Sequence, residues 1–423
     1  MALNQFKQAA RLAKWLPWCL IFACSIVLAA DPIVPSAKLP ATTPWDLRKL
    51  SEPPAFEWID ASGPVRSLLY EGEPLQGKPT HVFAYFASPE TLGKKPEAGQ
   101  RFPAVVLLHG GGGTAFREWA ELWAKRGYAA IAMDLAGYQA VKPTGPSSAD
   151  NRVRIADGGP DQDEETKFGA VDKAPSEQWT YHAVAAAIRA HSLIRRFPEV
   201  DVDRTAVTGI SWGGYLTSIV AGLDNRFKAA VPVYGCGFLQ ENSAWLNQLA
   251  RMTPKQQERW VQLWDPSVYL PAVEMPIFFV NGTNDFAYPL DSYMKSYALV
   301  PGEKRIRVTV NMPHSHSDGW APAEIGMFVD EHLRGSHALP SIGQLETVDG
   351  KKTLKCSSAR NLAANLHFTK DAGVFSGRTW QTSAATIVDD KVSADPPSND
   401  TTAWFITITD DRNATVSSEV FFK

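Results

Sequence analysis

The sequence predicts an α/β fold: a mostly parallel sheet with helices on both faces and an antiparallel hairpin at its start, followed by a small β-rich domain. Three observations carry this. Short apolar runs alternate with helix-spaced segments from Val65 to Leu333. One of those runs passes into a helix through the tight turn Gly209-Ile210-Ser211-Trp212-Gly213-Gly214. The alternation then stops near Pro340, beyond which only strand-like runs follow.

Taken in order, residues 1–30 carry Lys7, Arg11 and Lys14 with no acid, then an apolar run from Leu16 to Ala30 broken only by Pro17 and Ser25. This reads as a secretory signal peptide, with Ala29-Ala30 suited to cleavage. The run is short for a membrane span of about 20 residues. A secreted or periplasmic protein without stable membrane insertion after signal removal is therefore expected, a retained anchor being the alternative. Cys19 and Cys24 leave with the signal. Cys236 and Cys356 remain, as one bridge or as two buried thiols, so no disulfide scaffold holds this fold. Residues 31–54 are rich in proline and read as an extended linker or wrap. The net charge of -3 with interspersed signs excludes a strongly basic surface, and no nucleic-acid partner is expected.

The catalytic domain is expected over residues 55–336. Val65 to Tyr70 and His81 to Phe86 form a hairpin, and Pro103 to Leu108 is a strand buried on both faces that ends in His109-Gly110-Gly111-Gly112-Gly113. A helix follows over Ala115 to Arg126, with Phe116, Trp119, Leu122 and Trp123 on its apolar face and Gly127 as its stop. Further strands are expected at Tyr128–Met133, Arg204–Thr208, Ala229–Tyr234, Ile277–Val280 and Ile306–Val310. Helices are expected at Glu177–Phe197, Ser211–Leu223 and Pro322–Leu333. Two insertions, near residues 136–176 and 235–270, interrupt the alternation at the strand ends where a site would lie. The tryptophans of the second, Trp245, Trp260 and Trp264, favour packed lids over disordered loops. The acidic run Asp161, Asp163, Glu164, Glu165 fits no calcium-loop spacing and reads as a solvated face. Residues 340–423 are read as a small β-sandwich that binds carbohydrate, shields the site or simply packs on the main domain.

The chemistry centres on Ser211. In a G-x-S-x-G turn the serine is thrust between strand and helix, and its flanking glycines leave room that a Cβ would fill. A serine hydroxyl needs a base, and the base needs an acid to orient it. Asp285 lies just past one strand and His314 just past the next. His316 is the alternative base, and Asp291 is a weaker acid because a helix begins after Pro289. His314-x-His316 with Asp318 is a loose metal pattern, so neither metal nor cofactor is called. Backbone N–H groups of Gly111 or Gly112, with that of Trp212, supply the material for an oxyanion hole, and His109 is read as structural. A phosphate loop is disfavoured because no Lys-Ser or Lys-Thr follows the glycines.

The turn Gly-Ile-Ser-Trp-Gly-Gly, the run His-Gly-Gly-Gly-Gly and the segment Asn-Gly-Thr-Asn-Asp-Phe-Ala-Tyr-Pro together resemble the α/β-hydrolase family over roughly Val65 to Leu333. Within it they look similar to the group of prolyl-oligopeptidase-like hydrolases, dienelactone hydrolases and acetylxylan esterases. The resemblance implies Ser211, Asp285 and His314 as a triad. Two departures stand out: no β-propeller of the prolyl-oligopeptidase kind precedes the domain, and the cysteine nucleophile of dienelactone hydrolases is replaced by Ser211. The expected function is a secreted serine esterase acting on carboxylic esters, with acetyl and aryl esters of polysaccharides as candidates. The alternatives are a prolyl-oligopeptidase-like peptidase and a catalytically silent carbohydrate-binding protein.

Overall fold

The computed structural model describes residues 31–97, 99–357 and 361–423; the signal-peptide reading of residues 1–30 falls outside them. Nine strands make the main sheet: β1 (Phe56–Asp60), β2 (Arg66–Glu71), β3 (His81–Ala87), β4 (Phe102–Leu108), β5 (Ala129–Met133), β6 (Val200–Ile210), β7 (Ala229–Val233), β8 (Ile277–Gly282) and β9 (Lys304–Thr309). They lie in the order β1-β2-β3-β5-β4-β6-β7-β8-β9. The pairs from β5 to β9 are parallel, and β1, β2 and β3 join antiparallel. β4 and β5 are buried at every residue, as strands covered on both faces must be.

Five helices built on the main sheet's connections, and one from an insertion, are used below: α1 (Arg117–Lys125), α2 (Trp179–Ile194), α3 (Trp212–Leu223), α4 (Pro254–Trp264), α5 (Leu290–Leu299) and α6 (Ala323–Arg334). α2 and α3 pack on each other and on the central strands, while α1 lies against β3 and β5, and α6 against β6 and β7. α1 and α6 are pinned together where the Tyr128 hydroxyl donates to Asp330 (2.5 Å) and Arg334 donates to the Gly127 carbonyl (2.7 Å). The Pro-rich stretch before β1 wraps onto this body. Trp45 is buried, stacks on Tyr181 and donates its indole N–H to the Tyr181 carbonyl, and Leu47 and Leu50 are buried beside it.

The two insertions fold against each other rather than trailing into solvent. The Trp260 indole on α4 donates to the Lys167 carbonyl (2.8 Å), Gln256 reaches Asp172, and Trp264 donates to Gln178 (2.8 Å). The acidic run is spent locally: Asp161 accepts from Tyr138, Asp163 caps the short helix Glu164–Lys167, and Glu164 pairs with Arg251.

The C-terminal strands are β10 (Ser341–Val348), β11 (Lys351–Ser357), β12 (Asn361–Thr369), β13 (Gln381–Val388), β14 (Lys391–Ala394), β15 (Ala403–Asp410), β16 (Thr415–Ser417) and β17 (Phe421–Phe422). All pair antiparallel in the path β10-β11-β14-β13-β12-β15-β16, with β17 also on β15. β13 changes partner midway, pairing with β12 through Gln381–Ala385 and with β14 through Thr386–Val388, which lets the sheet fold over itself. Leu354, Leu366, Val392, Phe405, Ile406 and Ile408 fill its interior.

The same sheet closes one edge of the main one. Ser417 on β16 accepts the Val308 N–H of β9 (2.8 Å) and donates back to the Val308 carbonyl (3.3 Å), while Glu324 on α6 pairs with Arg307 and accepts the Thr415 N–H. The outward-facing N–H and C=O of Val308 on this edge strand are thereby satisfied from outside its own sheet.

Candidate active site

Ser211 stands where β6 gives way to α3, with φ 60° and ψ -119°, a left-handed conformation unusual for a residue bearing a Cβ. The crowding around the turn enforces it. A Cβ on Gly213 would overlap the Leu108 carbonyl of β4, and one on Gly209 would overlap the Gly213 carbonyl. Backbones approach this closely only through glycine, which is why the elbow carries them.

The Ser211 hydroxyl donates to His314 Nε2 at 2.9 Å, and His314 Nδ1–H donates to Asp285 Oδ2 at 2.6 Å. Asp285 is almost fully buried, and its other oxygen accepts the N–H groups of Ala287 and Tyr288 at 2.8 and 2.7 Å. With these three hydrogen bonds the carboxylate is held rigid and faces the imidazole. The loops after β8 and β9 are tied to each other where Asn311 N–H donates to Thr283 Oγ1 (3.0 Å). Asp291, the weaker candidate, sits on α5 and accepts from Asn242 instead.

The second histidine has a different task. His316 opens the short helix His316–Trp320, which the sequence reading did not separate from its surroundings, and its Nε2 accepts the Gly110 N–H at 3.0 Å. Burial pushes its pKa down to about 4, so the ring is neutral and fit to accept. His109 behaves likewise: its Nε2 accepts the Leu135 N–H (2.8 Å) and burial lowers its pKa to about 4. His314 and His316 thus direct their Nε2 atoms to different partners, and Asp318 accepts from Ser315. The three do not converge as metal ligands.

Between them these bonds select which glycine N–H groups are available. That of Gly110 is taken by His316 and that of Gly113 by the Gly110 carbonyl. Gly111 and Gly112, the latter at φ +67°, keep theirs without an acceptor among the described residues. Trp212 is the first residue of α3, so its N–H is one of the unpaired donors at the positive end of that helix.

Several residues that carry no motif complete the surroundings. Tyr234 stacks on His314 (4.3 Å between ring centres) and donates its hydroxyl to the Pro313 carbonyl (2.6 Å), clamping the histidine loop from below. Trp212 packs against Trp245 and Trp179, and the ammonium of Lys167 lies over its ring at 4.9 Å. Phe286, largely exposed, leans on His314 at the mouth. From the C-terminal sheet, the loop after β12 reaches this rim: Asn284, next to Asp285, donates to the carbonyls of Phe375, Ser376 and Arg378. By contrast His191 and Asp224, the other buried His–Asp pair, are wholly enclosed and bonded to Thr205 and Arg226, a structural arrangement. A cleft of about 780 Å³ beside Lys304 and Pro340 lies at the opposite ends of the strands from Ser211.

The fold is similar to that of a solved acetyl xylan esterase from Paenibacillus sp. R4, with a TM-score of 0.50, 21% identity, and coverage of 67% of this chain and 92% of that one. The chain has the α/β-hydrolase fold. Two family models match successive, slightly overlapping parts of the chain: the acetyl xylan esterase (AXE1) model over residues 80–252 and the PhoPQ-activated pathogenicity-related protein model over residues 245–370, the latter reaching into the C-terminal sheet. Curated relatives include an uncharacterized peptidase, YuxL, of Bacillus subtilis (strain 168), 29% identical over 216 residues, or 46% of this chain and 28% of the relative. Another is the acetyl esterase Axe7A of Xylanibacter ruminicola, 21% identical over 238 residues, or 54% of this chain and 51% of the relative. The chain thus spans about half or less of the curated relatives it matches. No helix among its described residues is long and apolar enough to cross a membrane.

Proposed function

We propose that this α/β-hydrolase is an exported serine esterase that removes small acyl groups, acetyl foremost, from polysaccharide esters. The observation that carries the reading is the continuous hydrogen-bond chain Ser211–His314–Asp285 at a strained elbow. His314 takes the serine proton as Ser211 attacks the ester carbonyl, and the Asp285 carboxylate stabilises the imidazolium that forms. The N–H groups of Gly111 and Trp212 receive the oxyanion, with Gly112 beside them. His314 then gives its proton to the departing alcohol, and water reverses the sequence to release the acid.

The acetyl and polysaccharide parts rest on the acetyl xylan esterase model and on the name of the second relative. Export rests on the basic and apolar pattern of residues 1–30. A peptidase is the second reading, favoured by the first relative's name. It predicts cleavage of aminoacyl amides at rates comparable with esters.

Both are tested by labelling with a fluorophosphonate, locating the adduct by mass spectrometry, and measuring turnover of acetyl, feruloyl and aminoacyl substrates. Labelling at Ser211 with acetyl-ester turnover is expected. Ser211→Ala should lower kcat by on the order of 10⁶-fold and Asp285→Asn by about 10⁴-fold. Full activity in Ser211→Ala would refute the mechanism.

A further inference from the structure

The tyrosine that precedes Pro289 buries a hydroxyl that meets no partner at normal hydrogen-bond geometry. Tyr288 is fully buried, and its backbone is held at both ends: its N–H donates to Asp285 Oδ1 (2.7 Å) and its carbonyl accepts from Asn281 (3.0 Å). The ring is wedged between Trp245 (5.1 Å) and His314, to which it lies nearly parallel at 12° and 6.4 Å. This fixed ring carries its hydroxyl to the side of Ser211, yet no hydrogen bond of normal geometry forms there or elsewhere.

A phenylalanine would fill the same volume without burying an unmet polar group. The hydroxyl therefore gains no well-formed hydrogen bond in the resting protein, and a state in which a neighbouring acceptor strengthens would repay its burial. Ser211 Oγ is the atom at hand. At rest it donates its proton to His314 and bears little charge. It gains negative charge during attack, and again when the acyl–oxygen bond breaks and Oγ leaves the acyl group. The carbonyl oxygen already has the Gly111 and Trp212 N–H groups, whereas Oγ has only His314.

Building on the esterase reading, we propose that Tyr288 is a catalytic residue whose O–H donates a hydrogen bond to Ser211 Oγ when that oxygen carries charge, most strongly as it is expelled in deacylation. No proton is transferred: His314 returns the proton to Oγ, water's oxygen bonds to the acyl carbon, and Tyr288 keeps its hydrogen throughout. Burial holds the phenol far above its ordinary pKa, so it remains a donor across the working range.

The test is Tyr288→Phe, which removes one oxygen and leaves the ring. Rates on an aryl acetate are normalised to sites titrated with fluorophosphonate, so that any misfolded fraction drops out, and acyl-enzyme is followed by intact mass after acid quench. We expect kcat to fall roughly 10- to 100-fold, the size of one hydrogen bond to a charged group, with the singly acetylated enzyme accumulating at steady state. Affinity for a boronic acid that forms a tetrahedral adduct on Ser211 should fall as well. Wild-type kcat, acyl-enzyme level and boronate affinity in the variant would overturn the role of Tyr288 alone. A wild-type protein that neither labels nor acetylates at Ser211 would overturn the esterase reading, and this inference with it.

Discussion

His109 and His316 each accept a backbone N–H on Nε2, a bond that exists only while the ring is neutral. Their folded pKa values near 4 lie below the ordinary histidine value near 6.5, so the unfolded chain binds protons first as pH falls. The stabilisation they provide is therefore complete above about 6.5, is lost progressively between about 6.5 and about 4, and falls no further below that. Calorimetry across this window should show the thermal midpoint dropping, and His316→Gln should flatten the drop by relieving one of the rings that must stay neutral. An unchanged pH slope in the variant would refute that assignment. At this scale the sequence was informative where chemistry has a motif. Ser211, Asp285 and His314 each follow a strand at short spacing, and the structure brings all three together. The separation of His314 from His316 needed coordinates, because both precede a serine and only the fold shows which imidazole faces Ser211. Tyr234 and Tyr288 were invisible for the same reason: a tyrosine's role lies in what its ring and hydroxyl meet.

The element that most constrains the site is the β6-to-α3 elbow. Gly213 lies against the Leu108 carbonyl, so Gly213→Ala forces β4 and α3 apart. We expect a loss of about 3 kcal/mol or more, read as a fall in denaturation midpoint, together with lost fluorophosphonate labelling; a variant as stable and as reactive as the parent would show that the turn has slack. Strands and helices with strong periodicity were legible to within a few residues. β6 runs from Val200 rather than Arg204 because its first half, Val-Asp-Val-Asp-Arg, is too polar to signal a strand on its own. β1 went unread since Phe-Glu-Trp-Ile-Asp exposes most of its length and forms only by pairing with β2. The helix His316–Trp320 is a single turn that contains a glycine, too short for any periodic pattern.

At the scale of the whole molecule, the C-terminal sheet was recognisable as β-rich from its spacing, but its position was not, because docking depends on surfaces far apart in the chain. Among its contacts with the body are the β9 edge and the rim beside Asp285. Asn284→Ala would remove the three bonds to the Phe375, Ser376 and Arg378 carbonyls. We expect about 1 to 2 kcal/mol of lost stability and a larger effect on turnover of a polymeric ester than of a small aryl acetate, since the rim meets only the former. Equal effects on both substrates would confine Asn284 to scaffolding. Cys236 is a buried free thiol, so this docking relies on packing and hydrogen bonds without a bridge from that residue.

Because Ser417 and its neighbours occupy β9, the main sheet is left with one unguarded margin, at β1, where Phe56 and Ile59 are exposed. The two margins of one sheet are thus finished differently: one is capped by the chain's own C-terminal strands, and the other, where the Pro-rich wrap runs into the sheet, ends on β1 alone.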